Sequence, residues 1–142
     1  MRKVIFGVAN SLDNFVARRD GGYDWILWSD EVAELVAAFW PRIDAVLVGR
    51  KTYEVQQQMP VDPDMALPSV TTYVFSRTLK QVTGDNVVLV SQDAGEFVRE
   101  LKQRPGKDIC LMGGGELARS LFEADVIDEV SLHIHPILLG DG

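Results

Sequence analysis

The feature that most constrains the fold is an apolar run that passes directly into three glycines and then into a helical pattern. The run covers residues 108–112, and it is followed by Gly113, Gly114, Gly115, Glu116 and Leu117. A helix that begins at glycines presents free backbone N–H groups and the positive end of its dipole, and both favour a bound anion. The same glycines also fit a tight strand-to-helix turn without a ligand, so the motif alone leaves both interpretations open.

Two further apolar runs end in residues that suit phosphate groups. The run 45–49 ends at Gly49 and precedes Arg50, Lys51 and Thr52, and the run 72–75 precedes Ser76 and Arg77. Hydroxyl and cationic side chains donate hydrogen bonds to phosphate oxygens. Ligands of open α/β sheets bind outside the carboxyl ends of the strands, so parallel strands would bring these groups into one crevice. We therefore predict a site for one long ligand with several phosphates.

Strand-like runs alternate with helical patterns along the chain, which predicts an α/β fold with a mostly parallel sheet in a single domain over residues 1–142. Strands are predicted over 2–9, 45–49, 72–75, 87–90, 108–112 and 129–139, and helices over 30–40, from 51, after 93 and over 116–123. Ser29 and Asp93 are the expected helix caps. Asp141 and Gly142 form a hairpin signal, so we expect a C-terminal antiparallel hairpin to be missing.

Composition and charge limit the function classes. The net charge of −7 argues against general nucleic-acid binding, and the single Cys110 excludes an internal disulfide. No apolar stretch is long enough for a membrane span or a signal peptide, so we expect a cytoplasmic protein. His133 and His135 would share one face of a strand, but their spacing supplies no third ligand, so no metal site is predicted. The apolar last strand would leave a sheet edge that a homodimer could cover.

Four segments resemble, in order, those of dihydrofolate-reductase-like proteins. They are 10–14 (NSLDN), 49–54 (GRKTYE), 76–79 (SRTL) and 113–117 (GGGEL). The chain is most similar to the reductase domain of the bifunctional deaminase-reductases of riboflavin biosynthesis, the RibD C-terminal type, and the resemblance spans nearly the whole chain. It implies a three-layer αβα fold with a mostly parallel mixed sheet.

The resemblance also implies an NADPH-dependent reductase that acts on a pterin- or pyrimidine-like heterocycle, similar to 5-amino-6-(5-phosphoribosylamino)uracil reductase, with dihydrofolate reduction as the alternative. It assigns phosphates of NADPH to Arg50, Lys51 and Thr52, the adenosine 2′-phosphate to Ser76 and Arg77, and the pyrophosphate to Gly113, Gly114, Gly115, Glu116 and Leu117. Ala9 and Gly49 complete the cofactor site. The loop with Asn10, Ser11 and Asp13 would lie over the nicotinamide and border the substrate.

Three departures from the family pattern bear on the substrate. Asn14 stands where the loop usually has glycine, and asparagine tolerates a positive φ. The acidic pair and proline typical of the riboflavin-pathway reductases after the second strand are replaced by the Gly-Arg-Lys-Thr form of dihydrofolate reductases. The zinc-binding motifs of the deaminase half are absent from the sequence.

A carboxyl group near the ring of the substrate could bind an amino-pyrimidine edge and assist protonation. Asp30 is the predicted acid, with Asp13 and Asp24 as rivals, although an acid directly after Ser29 also fits ordinary helix-dipole stabilisation. Trp25 and Trp28 flank this region and would either stack on a flat heterocycle or fill the core.

Two other classes stay open on the sequence. Gly113, Gly115 and Ala118 fit the dinucleotide fingerprint of a Rossmann oxidoreductase, but the region of the next strand holds His133, His135 and Pro136 and no acidic residue at its end. The second class is a non-catalytic nucleotide-binding module that keeps the cleft without the chemistry.

Overall fold

The computed structural model describes residues 2–27, 29–58, 70–84 and 86–142. Trp28 and the segment with Pro60, Pro63 and Pro68 lie outside these residues. The described elements are β1 (Val4–Ser11), α1 (Asp30–Phe39), a 3₁₀ turn (Trp40–Arg42), β2 (Ile43–Gly49), α2 (Arg50–Gln58), β3 (Thr71–Phe75), β4 (Val87–Val90), α3 (Ala94–Gln103), β5 (Asp108–Gly113), α4 (Gly115–Glu123) and β6 (Glu129–His135).

The six strands form one sheet in the order β4-β3-β2-β5-β1-β6, and all five described strand pairs are parallel. This arrangement confirms the predicted α/β fold with a mostly parallel sheet. Because the strands are parallel, their carboxyl ends lie along a single edge of the sheet. The loops after β1, β2, β3, β4 and β5 therefore share that edge.

Helices cover both faces of the sheet, as predicted for a three-layer fold. On one face, α3 and α4 bury Val98 and Leu121 against strand residues such as Leu47. On the other face, Tyr53 of α2 packs in a second cluster with Val48 of β2, and Phe39 and Trp40 at the end of α1 lie against the same cluster. Two apolar clusters on opposite faces are what a sheet between two helical layers requires.

Two strand ends differ from the sequence prediction. β6 ends at His135 and not at Leu139, because Pro136 has no N–H for a ladder and Ile137 N donates to His135 O at 2.8 Å. β1 continues through Asn10 and Ser11, which were expected to break the strand. These two residues pair in register with Ile134 and His135 of β6, so pairing with a distant strand overrides their weak local preference for strand.

Ion pairs join distant segments of the chain at the amino edge of the sheet. Arg2 pairs with Asp44 at the start of β2, and Lys102 Nζ lies 2.8 Å from Asp128 Oδ2 just before β6. Asp128 Oδ2 also accepts a hydrogen bond from Val4 N at 2.9 Å. Burial raises the pKa of Asp128, but the hydrogen bonds from Lys102 and Val4 and the nearby lysine charges outweigh it, so the pKa lies below the ordinary value.

The strand order excludes the Rossmann alternative. In a Rossmann sheet, the strand before the glycine turn and the strand after its helix are neighbours. Here these strands are β5 and β6, and β1 lies between them. The glycine turn therefore belongs to a different parallel fold.

Candidate cofactor and active site

A cleft of about 630 Å³ opens at the carboxyl edge of the sheet. It collects the segments that follow β2, β3, β4 and β5, together with the first turns of the helices behind them. The lining residues are Gly49, Arg50, Lys51, Phe75, Ser76, Arg77, Thr78, Val90, Gln92, Asp93, Ala94, Gly114, Gly115, Glu116, Leu117 and Ser120. The structure thus brings the three predicted phosphate segments together in one crevice.

The glycine turn leaves the start of α4 open to the cleft. Gly113 has a φ of +118°, a backbone conformation that residues with a side chain rarely adopt. Gly114 is the N-cap of α4, and it supplies no side-chain hydrogen bond to the helix. A Cβ built on Gly115 would meet no atom within 4 Å. The first amides of α4 therefore face an unobstructed space, which is the geometry that suits an anion.

The end of β2 comes close to the glycine turn. A Cβ on Gly49 would lie 3.5 Å from Gly114 N, and a Cβ on Gly114 would lie 3.7 Å from the Thr52 hydroxyl oxygen. Thr52 thus stands behind the turn, near the start of α4. The peptide bond between Gly113 and Gly114 is cis.

The cations of the cleft differ in their availability. Arg50 forms an ion pair with Glu54 one turn further along α2, at 3.1 Å. Lys51 and Arg77 have no carboxylate partner among the described residues. Asp93 and Glu116 also line this cleft, so Lys51 and Arg77, beside the N-terminus of α4, are the groups in it that favour a bound anion.

Ser76 has a structural role beside its predicted one. Its hydroxyl oxygen accepts hydrogen bonds from Thr78 N at 3.2 Å and Leu79 N at 3.0 Å, which folds the segment after β3 into a tight turn. The turn places the neighbouring Arg77 on the wall of the cleft.

The loop after β1 contains Asn10, Ser11 and Asp13, the residues predicted to border the substrate. Ser11 is fully buried, and its hydroxyl donates to Asp13 Oδ1 at 2.6 Å and accepts from Phe15 N at 2.9 Å. Asn10 Nδ2 donates to Ser11 O and to Asn14 Oδ1, both at 3.2 Å, whereas Asn10 Oδ1 is buried without a partner in the described part of the chain. The side chains of Asn10 and Ser11 therefore form hydrogen bonds mainly within the loop and stabilise its conformation.

Both carboxylate oxygens of Asp13 bind within the chain. Besides the hydrogen bond from Ser11, they accept hydrogen bonds from Leu139 N at 3.2 Å and Gly140 N at 2.8 Å. The hydrogen bond from the Ser11 hydroxyl, followed by those from Gly140 and Leu139, lowers the pKa of Asp13 from its ordinary value. A carboxylate held in the ionised form is a poor proton donor, which counts against Asp13 as a rival to Asp30.

The remaining predicted residues lie toward α1. Trp25 is only 4% exposed, and its ring packs edge-to-face on His135 with centroids 5.6 Å apart, which favours core filling over stacking on a ligand. Asp24 pairs with Arg18. Asp30 is exposed at the first position of α1, where Ser29 caps the helix, and its side chain forms no hydrogen bond or ion pair with a described residue. The structure therefore does not bring Asp30 into the phosphate cleft.

Sequence reasoning missed one wall of the cleft. Gln92, Asp93 and Ala94 follow β4 and line the cavity opposite the glycine turn. Asp93 was recognised only as a helix cap, and its carboxylate does accept a hydrogen bond from Glu96 N at 3.0 Å. The predicted parallel sheet could have indicated this wall, because β4 also ends at the carboxyl edge and the loop after it therefore lies at the same crevice.

The other candidates for chemistry lie away from the cleft. Burial raises the pKa of the Cys110 thiol to about 12, so this side chain is not a nucleophile at neutral pH. His135 is buried, with its ring nitrogens 3.0 Å from His133 O and 3.3 Å from Leu27 O. Among the described residues, no group of three potential metal ligands is found, and no helix has the length and apolar character that a bilayer span requires.

Comparison with known proteins gives a family match over nearly the whole chain. The family model of the RibD C-terminal domain matches residues 2–142. YyaP and YwjB of Bacillus subtilis strain 168 are 33% and 34% identical to this chain over 150 and 143 residues. Each comparison covers 99% of this chain, and they cover 78% of YyaP and 80% of YwjB.

Three solved structures share the fold. A Shewanella sp. PV-4 protein assigned provisionally to riboflavin biosynthesis has a TM-score of 0.82 and 28% identity, over 99% of this chain and 80% of its own. The second is the Thermotoga maritima diaminohydroxyphosphoribosylaminopyrimidine deaminase/5-amino-6-(5-phosphoribosylamino)uracil reductase. It has a TM-score of 0.71 and 18% identity, over 99% of this chain and 46% of its own. Dihydrofolate reductase from Enterococcus faecalis, complexed with NADP(H) and RAB-propyl, has a TM-score of 0.61 and 18% identity, over 86% of this chain and 65% of its own.

Proposed function

Because this chain belongs to the RibD C-terminal domain family, we propose that it is an NADPH-dependent reductase that transfers hydride to a pterin- or pyrimidine-like heterocycle. The observation that carries the proposal is the cleft lined both by the open N-terminus of α4 and by Lys51 and Arg77, two cations that have no carboxylate partner among the described residues. The Thermotoga and Enterococcus neighbours, whose names include a uracil reductase and a dihydrofolate reductase, support the reaction class by analogy of fold.

The described residues fit NADPH. The start of α4, whose residues Gly114, Gly115 and Glu116 line the cleft, suits the pyrophosphate. Lys51 would neutralise its charge, and Arg77 at the end of β3 would receive the 2′-phosphate of the adenosine. Gln92 and Asp93 would border the adenosine from the side of β4.

The other half of the dinucleotide would lie toward β1. Since β1 is the next strand after β5, a ligand fixed at β3, β2 and β5 reaches Ala9 and the loop after Ser11 when it is extended along the carboxyl edge. When bound, the nicotinamide supplies the hydride. The protein would hold the ring and the heterocycle together and exclude water between them.

The binding experiment compares NADPH with NADH in thermal unfolding. A ligand that binds only the folded state stabilises it by about 2.7 kcal/mol at 100 times its Kd, so a rise in melting temperature reports binding. We expect a larger rise with NADPH, and about tenfold weaker NADPH binding in Arg77→Gln, because a charge-assisted hydrogen bond is lost. Arg119→Gln is the control, since Arg119 pairs with Glu123 on the exposed side of α4. Equal shifts with both cofactors would contradict the 2′-phosphate site.

Turnover separates the reductase from a non-catalytic nucleotide-binding module. NADPH oxidation is followed with pterins and with ribosylamino-pyrimidines as acceptors. We propose Asp30 as the acid, and Asp30→Asn is expected to lower kcat about 100-fold, as loss of general acid catalysis does. Binding of NADPH without turnover of either acceptor class would favour the module, and unchanged kcat in Asp30→Asn would remove Asp30 from the chemistry.

A further inference from the structure

The loop after β1 is fastened to the segment that follows β6. Leu12 N donates to Ile137 O at 2.8 Å, and Asp13 accepts hydrogen bonds from Leu139 N and Gly140 N through different carboxylate oxygens. The two contacts of Asp13 join parts of the chain that are 126 and 127 positions apart. They attach the loop to the backbone of the segment after β6 at three residues, Ile137, Leu139 and Gly140.

Asp13 is the centre of this arrangement. Its Oδ1 also accepts from the Ser11 hydroxyl, and that hydroxyl in turn accepts from Phe15 N, so one carboxylate ties the local turn to the distant segment. An ionised carboxylate has two acceptor oxygens, whereas a carboxamide has one, and its NH₂ group cannot accept from a backbone N–H. Asparagine at this position would therefore keep the size of the side chain and lose part of the attachment.

The fastened loop follows β1, the strand next to β5 on the carboxyl edge at which the cleft opens. Cations and the open helix N-terminus lie at the ends of β2, β3 and β5, and β1 is the next strand on the same edge. A dinucleotide bound by its phosphates would extend its reacting half toward this loop. The position of the loop would then set the wall beside that half.

We propose that Asp13 is a positioning residue that latches the loop after β1 onto residues 139 and 140 and thereby sets the wall beside the reacting half of the dinucleotide. The functional part rests on the proposed NADPH site. The latch itself is a property of the chain without ligand, so the two parts can be tested separately.

The test compares Asp13→Asn with Asp20→Asn, a control in the same loop region whose Oδ1 accepts a single local hydrogen bond from Gly22 N at 2.8 Å. Hydrogen exchange is measured at the Leu139 and Gly140 amides, and affinities are measured for NADPH and for adenosine 2′,5′-bisphosphate, which lacks the nicotinamide half. We expect faster exchange at both amides and about tenfold weaker NADPH binding in Asp13→Asn, with unchanged binding of the bisphosphate. The control should match the wild type.

Each other outcome has a definite meaning. Wild-type exchange at Leu139 and Gly140 in Asp13→Asn would overturn the latch. Unchanged NADPH affinity, or equal weakening of NADPH and the bisphosphate, would overturn its role at the reacting half, because equal weakening indicates a general loss of structure. If the wild type binds neither probe, the NADPH proposal fails, and faster exchange at the two amides would still support the latch.

Discussion

Gly95 lies where α3 meets α4, and the contact leaves no room for a side chain. A Cβ at this position would lie 2.7 Å from the Ala124 Cβ, which is shorter than real carbon contacts. We expect Gly95→Ala to lower the free energy of unfolding by about 1–3 kcal/mol in urea denaturation, despite the better helix propensity of alanine. Gly7→Ala is the control, because its Cβ would meet only the Cys110 Sγ, at 3.9 Å. Equal stability of the two variants would contradict this packing.

Asp128 gives the protein a defined acid sensitivity. Its pKa is lowered in the folded state, so its contribution to stability is present above the ordinary carboxyl pKa of 3.8 and is lost as the pH falls through the lower folded value. Asp128→Asn leaves the mostly buried Lys102 without its carboxylate. We expect the free energy of unfolding of this variant to be about 1–2 kcal/mol below that of the wild type at pH 7, and the difference to become smaller in acid. Urea denaturation of the variant and the wild type, at pH 7 and in acid, measures this difference, with Asp125→Asn as the control. A loss that persists unchanged in acid would argue against the ion pair.

At the residue scale, sequence reasoning succeeded where a side chain acts on its own neighbours. Ser29 and Asp93 cap helices as predicted, and Asn14 adopts the expected positive φ of 70°. It did not find the role of Asp13, because the partners of that carboxylate, Leu139 and Gly140, are near the other end of the sequence. No local pattern encodes such a contact.

Among the helices, α1 is the least anchored. None of its residues is buried, whereas α3 buries Val98 and Leu101 and α4 buries Leu117 and Leu121. Because helical stability in proteins comes mostly from packing, we expect the amides of α1 to exchange with solvent faster than those of α3 and α4. Hydrogen exchange read by mass spectrometry tests this, and Ser29→Ala should speed α1 further by removing about 1 kcal/mol of capping. Equal protection of the three helices would refute the ranking.

The existence and order of the elements followed from periodicity, as did the bounds of β4 and the carboxyl ends of β2 and β3, whereas the ends of β1 and β6 did not. The apolar run to Leu139 is typical of one strand, but Pro136 has no backbone N–H to donate to the sheet, and β6 ends at His135. Ser11 reads as a loop residue, but β6 supplies a partner for it in the sheet. Strand ends depend on which strand is the neighbour, and the sequence alone does not name the neighbour.

For the whole molecule, an apolar row remains on one face of the edge strand β6. Val130, Leu132 and Ile134 are 52%, 47% and 57% exposed and follow each other at the two-residue spacing of a strand. The predicted homodimer would cover this row, and we expect light scattering to give twice the mass of the chain. Leu132→Asn should shift the mass toward the monomer, whereas Leu35→Asn, an exposed leucine on α1, should not. A monomeric wild type at high concentration would contradict the prediction.

The place of β1 in the sheet also governs when the chain can fold. β1 is synthesised before the other described strands, yet its described partners are β5 and β6, and contacts such as Lys3 N to Asp108 Oδ1 span 105 positions. β1 must therefore stay without these partners until β5 and β6 have been synthesised. Closing such long loops is slow, and unpaired strands aggregate. During synthesis, β1 therefore remains exposed for a long interval, and we expect the nascent chain to be most prone to aggregation in that interval.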